Sequence, residues 1–241
     1  MPQVKSLYGT MARYYDQIYH WKDYKAEVIR INGLIERYKR SSGNELLDVA
    51  CGTGKHLMHL KYNFNCMGVD ASKQMLSVAR KNVPGMKFKR GSMVSFDLGR
   101  QFDVVLCLFS SFGYRTTKRE IRSAINNFAI HLKSGGLLIL EPWIRRSKWR
   151  NRLADMQTYD SDSLKIARVN YGRALGKLSI LDDRYLIAEK GKGIVYVRDI
   201  HRMRFFDPHY TLLEMRHAGL TPRFTEYSLM PGRGLVIATK R

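Results

Sequence analysis

The sequence predicts an α/β protein in which a doubly wound, mostly parallel sheet carries an antiparallel β insertion over one face. Two observations lead to this expectation. Between residues 45 and 143, short apolar runs alternate with helical segments, which is the pattern of a parallel sheet covered by helices. From about residue 165 to 206 the helical spacing disappears, and short β-prone segments with alternating polar residues follow one another, which favours antiparallel strands.

The individual elements follow from local patterns. Residues 23–39 place apolar side chains at helical spacing, and a Ser-Ser-Gly sequence then ends the helix. Ser72 is suited to cap the helix that begins near Gln74. A later helix is expected over Pro208–Gly219, and a closing strand pair flanks residues 231–234. Further strands are predicted at 45–50, 66–70, 86–91, 102–109 and 137–143, with further helices from Lys55 and over 118–132.

The charge of the chain restricts its partners without fixing its fold. The 241 residues carry a formal net charge of +21, from 42 Lys and Arg against 21 Asp and Glu. A field of this sign favours nucleic acid, an anionic membrane surface or a phosphorylated substrate, although the charge could also be spread over solvated faces. The densest basic cluster is RRSKWRNR at residues 145–152.

Three cysteines lie in or beside apolar runs without the spacing of a metal site or a disulfide framework, so we expect reduced thiols and no metal. No apolar stretch approaches the roughly 18–20 residues of a membrane span. The first residues contain no apolar segment typical of a secretory signal. A cytoplasmic location is therefore expected.

The most specific motif is the loop DVACGTG at residues 48–54, between a predicted strand and a helix. Its glycines allow a tight turn and close approach of the backbone to a ligand. Asp70 ends the next strand, where an acid can accept both hydroxyls of a ribose. No Gly-Lys-Ser/Thr follows, and Leu57 stands in the third-glycine position, so the loop is neither a P-loop nor the dinucleotide fingerprint.

ELLDVACGTG at residues 45–54 resembles motif I of the class I methyltransferases, which have a Rossmann-like fold and bind S-adenosylmethionine. The resemblance implies that Asp48 and the backbone of Ala50, Gly52, Thr53 and Gly54 hold the methionine end of this cofactor, and that Asp70 holds its ribose. Met75 and Met93 would flank the adenine, and Ser92 stands where many members have an Asp. The same resemblance assigns Tyr24, Ala71 and Leu108 to the cofactor site.

Other segments resemble the N,N-dimethyltransferases of amino-sugar biosynthesis: residues 14–27, 107–117, 128–143, 200–206 and 232–235. This resemblance implies in-line methylation of a small-molecule amine, such as that of a nucleotide-linked amino sugar, and places the insertion over the substrate face. It implies catalytic roles for Tyr15, Glu27 and Tyr114, the last of which stands where some relatives have a histidine. By the same resemblance the substrate residues are Trp143, His201, Arg202 and Arg233, with the arginines suited to phosphate.

Two alternatives stay open at this stage. An RNA methyltransferase would use the basic surface, but residues 109–112 read Phe-Ser-Ser-Phe, where enzymes that methylate a base amine carry Asn/Asp-Pro-Pro-aromatic. No cysteine stands in the Pro-Cys or Thr-Cys context that base-carbon enzymes need. The other alternative is a module that binds the cofactor without chemistry, against which the complete set of cofactor residues argues.

The chain length favours a single domain. We divide it into an N-terminal helical cap (1–40), a cofactor-binding half (41–143), a β insertion for substrate binding or dimerisation (144–206), and a C-terminal helix with strands (207–241). An exposed insertion of this kind could pair two copies across a two-fold axis, so a homodimer is a further expectation.

Overall fold

The computed structural model describes residues 6–150 and 155–241, and within these residues eleven strands form two sheets. The larger sheet contains β1 (Glu45–Val49), β2 (Asn65–Asp70), β3 (Lys87–Arg90), β4 (Phe102–Cys107), β5 (Leu132–Leu140), β10 (Leu220–Thr225) and β11 (Leu235–Lys240). The smaller sheet contains β6 (Asp155–Asp160), β7 (Leu164–Leu175), β8 (Leu178–Glu189) and β9 (Gly193–Arg204).

The larger sheet has the strand order β3-β2-β1-β4-β5-β11-β10. Strands β1 to β5 are parallel, and β11 is antiparallel to both β5 and β10. The predicted fold class is therefore confirmed, with the order reversing between β1 and β4. Ligands of open α/β sheets bind outside the carboxyl ends of the strands at such a reversal. The fifth strand begins earlier than expected, at Leu132, and ends at Leu140.

The four longer helices begin at capping side chains that the sequence supplies. Asp23 accepts a hydrogen bond from the amide of Ala26, and Ser72 accepts one from the amide of Met75, as expected. Thr117 and Glu120 form a reciprocal capping box. The helices are α1 (Tyr15–Ile18), α2 (Tyr24–Tyr38), α3 (Lys55–Leu60), α4 (Lys73–Asn82), α5 (Lys118–Ile130) and α6 (Pro208–His217).

The central strands of the larger sheet are covered on both faces. All six residues of β4 are buried, which agrees with their near-continuous apolar run. On one face Val105 and Leu138 pack with Phe128 of α5. On the other face, Leu106 and Ile139 belong to the cluster of α2. Two helical layers therefore hold the sheet rigidly beneath the loops at its carboxyl edge.

The insertion is more regular than the sequence indicated. Its strands β7, β8 and β9 each have 12 residues, and β6 adds a strand before the segment in which strands were expected. Its inner face carries Ile166, Tyr185 and Val197, which pack against Leu7 and Met11 of the N-terminal segment. The insertion and the N-terminal segment thus enclose the carboxyl edge of the larger sheet. Within the described parts of the chain, no helix is long and apolar enough to cross a membrane.

Candidate active site

A cavity opens at the carboxyl ends of β1, β2 and β4. The loop after β1 forms its floor, and the N-terminal segment covers it. Its position is the one where a sheet of this topology binds a nucleotide-like ligand. Sequence-predicted cofactor and catalytic residues that line it are Tyr15, Tyr24, Asp48, Ala50, Gly52, Thr53, Asp70, Met75 and Leu108, and Tyr8, Cys51, Lys55, His56, Phe109 and Ser111 complete it.

Asp48 is 2% exposed, and its Oδ2 atom has no hydrogen-bond partner among the described residues. Burial, with a smaller contribution from nearby Asp70, raises the pKa of Asp48 to about 8. A buried carboxyl group without a partner is costly unless a ligand completes it. The ammonium group of a methionine moiety is a suitable partner, so the residues present fit S-adenosylmethionine.

The loop after β1 has the backbone geometry that its glycines favour. Gly52 has φ 57° and Gly54 has φ 77°, and Ala50 also takes a left-handed conformation at φ 61°. A Cβ atom on Gly52 would lie 3.3 Å from Cε of Met75, so that the loop fits closely against α4. Asp70 fixes this loop because its Oδ2 accepts a hydrogen bond of 2.9 Å from the amide of Gly52.

Some predicted cofactor residues do not line this cavity in the described structure. Gly54 ends the loop as the N-cap of α3. The carbonyl of Ala71 accepts a hydrogen bond from the Arg90 side chain. Ser92 begins a turn through its carbonyl, and Met93 lies in the core beneath β3 and β4. Their contacts with cofactor stay a prediction.

Glu27 lies in a buried polar cluster beside the cavity. Its carboxylate forms an ion pair with Lys22 and a hydrogen bond of 2.7 Å with Nε2 of His56. Burial raises the pKa of Glu27, but the hydrogen bond and charge of His56 and Lys22 outweigh burial and leave the pKa below its usual value. His56 lines the cavity, whereas Glu27 is not among the described residues of its wall. The proposed role of Glu27 near the reacting amine stays a prediction.

A larger cavity adjoins the first, between the two sheets. Tyr8 and Phe109 line both cavities, so they mark the junction. The structure brings together four sequence-predicted residues on the wall of the larger cavity: Tyr114, Trp143, His201 and Arg233. Arg202 is exposed and does not line the cavity, because successive side chains of β9 point to opposite faces and His201 takes the inward position.

Arg233 stacks against two aromatic rings at the wall of the larger cavity. Its guanidinium carbon lies 5.1 Å from the ring centre of Phe109 and 5.2 Å from that of Trp143. Its Nη1 atom is buried without a hydrogen-bond partner among the described residues. The indole of Trp143 is fixed in turn by a 2.9 Å hydrogen bond to Ser179 of β8. The site therefore presents an oriented guanidinium with a donor that a ligand can use.

Glu141 connects the two loops that form the junction. Its Oε2 accepts a hydrogen bond of 2.7 Å from the amide of Phe109, and its Oε1 accepts one of 3.1 Å from the amide of Met230. Phe109 and Ser110 have φ of 51° and 63°, a strained conformation for residues other than glycine. Glu141 is fully buried, and burial raises its pKa against the opposing effect of Arg233 and Lys22.

Several cavity residues were missed in the sequence. Lys148 and Arg150 line the larger cavity, so part of the basic cluster 145–152 faces the site, while residues 151 and 152 lie outside the described residues. Arg168 and Asp183 also line it, from β7 and β8. In the sequence each is one polar residue in an alternating strand. Which face of the strand it occupies can be decided only when the strand register is known.

Comparisons with known proteins agree with this geometry. A methyltransferase domain model matches residues 46–136, which cover the loop after β1 and the strands β1 to β4. A dTDP-3-amino-3,4,6-trideoxy-α-D-glucopyranose N,N-dimethyltransferase of Streptomyces venezuelae is 34% identical over 92% of this chain and 94% of its own.

Solved structures give the same result. The crystal structure of Streptomyces venezuelae DesVI matches with a TM-score of 0.89 and 33% identity, over 96% of this chain and 98% of that one. CalS10 of Micromonospora echinaspora, an amino pentose methyltransferase solved with S-adenosylmethionine bound, matches with a TM-score of 0.81 and 30% identity, over 91% of this chain and 92% of that one. These relatives do not favour the RNA alternative. This chain is an S-adenosylmethionine-dependent methyltransferase that belongs to the family of amino-sugar N,N-dimethyltransferases.

Proposed function

We propose that the protein transfers methyl groups from S-adenosylmethionine to the amine of a nucleotide-linked deoxyamino sugar. The observation that carries this proposal is the pair of adjoining cavities. One fits the cofactor, and the other contains an oriented arginine and meets the first at Tyr8 and Phe109. The relative that acts on a dTDP-linked amino sugar supports the same substrate class.

The diphosphate of such a substrate has a suitable partner in Arg233. Guanidinium groups bind phosphate oxygens through paired donors, and the aromatic rings beside Arg233 hold its plane. Lys148 and Arg150 add positive charge to the same cavity. Part of the positive charge of the chain therefore lies in the cavity where a diphosphate would bind.

The cofactor supplies a methyl group on a positively charged sulfur, which is already an activated donor. The chain has to hold a neutral amine in line with this methyl group, and positioning alone contributes much of the rate. Tyr8 and Phe109 enclose the junction, and Tyr15 covers the cofactor side. Tyr114 lines the substrate side, where its hydroxyl is available to orient the amine.

We further propose that the protein is a cytoplasmic homodimer. The outer face of the smaller sheet exposes apolar side chains in adjacent rows, among them Leu186 (53% exposed) beside Tyr196 (55% exposed). Exposed apolar patches of this kind mark association surfaces. Asp182 pairs with Arg184 and Arg198 in the middle of this face, so part of its charge is already neutralised before a second copy approaches.

The proposal is tested by measuring S-adenosylhomocysteine release with different acceptors. We expect release with dTDP-linked 3-amino or 4-amino deoxysugars and none with the matching 3-hydroxy or 4-hydroxy sugars. An RNA oligonucleotide and the free amino sugar serve as comparisons. Release with RNA, together with no release with any nucleotide-linked amine, would contradict the proposal and favour the RNA methyltransferase alternative.

A further inference from the structure

We infer that His201 is the terminal proton acceptor of a hydrogen-bonded chain that begins at Tyr114 and removes the proton of the reacting amine. This inference rests on the proposed function. The relay consists of Tyr114 and His201, while Tyr8, Asp183 and Asp199 are positioning residues on either side of it.

The contacts are continuous from the cavity junction to the interior of the smaller sheet. The hydroxyls of Tyr8 and Tyr114 lie 2.9 Å apart. The hydroxyl of Tyr114 lies 2.9 Å from Nδ1 of His201. On the far side of the ring, Nε2 lies 3.4 Å from Oδ2 of Asp183 and 3.6 Å from Oδ2 of Asp199. This Nε2 atom is buried and has no hydrogen-bond partner among the described residues, so the two carboxylates face it at ion-pair distance.

The direction of each hydrogen bond follows from the carboxylates. Because carboxylate oxygens only accept, they favour the imidazole tautomer that carries its proton on Nε2. Nδ1 is then an acceptor, so Tyr114 donates to His201 and accepts from Tyr8. The second lone pair of the Tyr114 hydroxyl remains available to an amine N–H in the larger cavity.

The balance of the step is simple. An aliphatic amine binds as its ammonium form at neutral pH, and the nitrogen has to lose one proton before its lone pair can attack the methyl group. Its N–H bond breaks as an O–H bond forms at Tyr114, while the original O–H bond of Tyr114 breaks and an N–H bond forms at Nδ1 of His201. The imidazole becomes an imidazolium between two carboxylates, and Tyr114 is neutral before and after. Product release then lets the proton pass to water.

The surroundings favour this relay over a free tyrosinate. Burial raises the pKa of Tyr114 well above its usual value, and that of Tyr8 is raised in the same way. A buried phenol cannot hold a negative charge, so Tyr114 has to accept the proton of the amine as it donates its own proton to His201. Other charged or titratable groups around the carboxylates are Arg168, Tyr19 and Tyr185.

Asp199, which lies behind the imidazole of His201, also holds the N-terminal segment. The amide of Leu7 donates a hydrogen bond of 2.7 Å to Oδ2 of Asp199, and the carbonyl of Tyr8 accepts one from the hydroxyl of Ser72. Asp199 therefore fixes the residue next to Tyr8 while its carboxylate faces His201. The closed segment and the proton acceptor depend on the same side chain.

The test is the single-turnover rate of methyl transfer to a dTDP-linked amino sugar in His201→Asn. We expect a fall of about 10- to 100-fold, with the Kd of S-adenosylmethionine and the KM of the sugar each changed by less than about twofold. Added imidazole should restore part of the rate. His131→Asn is the matched control, because it removes a buried imidazole that lies outside both cavities.

A double-mutant cycle with Tyr114→Phe separates a relay from two independent contributions to the rate. In a relay the second substitution costs little once the first is present, so the two losses should not multiply. A His201→Asn rate within about twofold of the wild type, or losses that multiply without rescue by imidazole, would overturn the relay and leave the proposed function intact. If the wild-type protein methylates no amine, the proposed function itself fails.

Discussion

Asp70 and Gly52 join the end of β2 to the loop after β1 at the wall of the smaller cavity. The Oδ2 atom of Asp70, at the end of β2, accepts a 2.9 Å hydrogen bond from the amide of Gly52 in the loop after β1. Its Oδ1 atom accepts one of 2.8 Å from the amide of Ser72, which caps α4. One carboxylate thus sets the loop, begins a helix and keeps a lone pair on each oxygen for ribose hydroxyls.

We predict that Asp70→Ala weakens S-adenosylmethionine binding by about 100-fold or more, because it removes the ribose acceptor and releases the loop. Asp70→Asn should lose less, since the amide oxygen can still accept one of the two backbone hydrogen bonds. Calorimetric titration of both variants measures the difference. Equal affinities in the wild type and Asp70→Ala would contradict this account of the loop.

Asp48 makes cofactor binding depend on pH. Its pKa of about 8 means that the free protein is largely protonated there at neutral pH, whereas an ammonium group requires the carboxylate. Binding therefore releases a proton, and the affinity should rise from pH 6 to about 8 and fall at higher pH, where the α-amino group of the ligand loses its charge. Titrations in buffers of different ionisation enthalpy would measure the released proton, and a pH-independent affinity would disagree with this assignment.

The same group should cost stability in the free protein. The folded pKa of Asp48 lies above its unfolded value of 3.8. Below pH 3.8 the group is protonated in both states and does not reduce the free energy of unfolding. As the pH rises from 3.8 to about 8, the unfolded chain ionises first, so the free energy of unfolding falls. Asp48→Asn should thus raise the free energy of unfolding at pH 8 by about 1–3 kcal/mol, while cofactor binding is lost. The measurement is denaturant unfolding at pH 8 without cofactor. A variant that is less stable than the wild type would contradict the cost assigned to buried Asp48.

Arg233 should affect the nucleotide sugar and not the cofactor. Arg233→Met keeps a flexible apolar stem between the two rings but removes the phosphate donors, so we expect the KM of the sugar to rise about tenfold or more. Arg216→Met removes an exposed arginine of α6 that lines neither cavity and serves as the control. Steady-state kinetics at saturating S-adenosylmethionine separates the two, and an unchanged KM in Arg233→Met would exclude the phosphate role.

The outer face of the smaller sheet should determine the oligomeric state. Leu186→Glu places a charge in its apolar rows and should convert a dimer to a monomer, as measured by light scattering. Leu213→Glu, at an exposed position of α6, is the matched control. A wild-type protein that is monomeric at high concentration would remove the basis of the dimer proposal.

The fold and the cofactor loop could be predicted because their signals are local. Apolar runs mark the strands, Ser72 marks a helix start, and the residues of the loop after β1 stand together in the chain. The substrate cavity depends on distant pairings instead. Tyr114 is 106 residues from Tyr8 and 87 from His201, and no local pattern connects them.

Strand register is the second reason why the substrate site was only partly predictable. His201 and Arg202 are neighbours on β9, and which of them faces the cavity depends on how β9 pairs with β8. The register places His201 opposite Leu181 and faces it inward, which leaves Arg202 outside. In the same way, Lys148 and Arg150 became cavity residues only because the segment after β5 passes beneath the insertion.

The most direct test of the central claim is mass spectrometry of the acceptor after incubation with S-adenosylmethionine and a dTDP-linked amino sugar. We predict that the sugar nucleotide gains one or two methyl groups on its nitrogen, and that the matching hydroxyl sugar gains none. An acceptor of unchanged mass across 3-amino and 4-amino sugars, with a protein that still binds S-adenosylmethionine, would contradict the assignment of the substrate cavity.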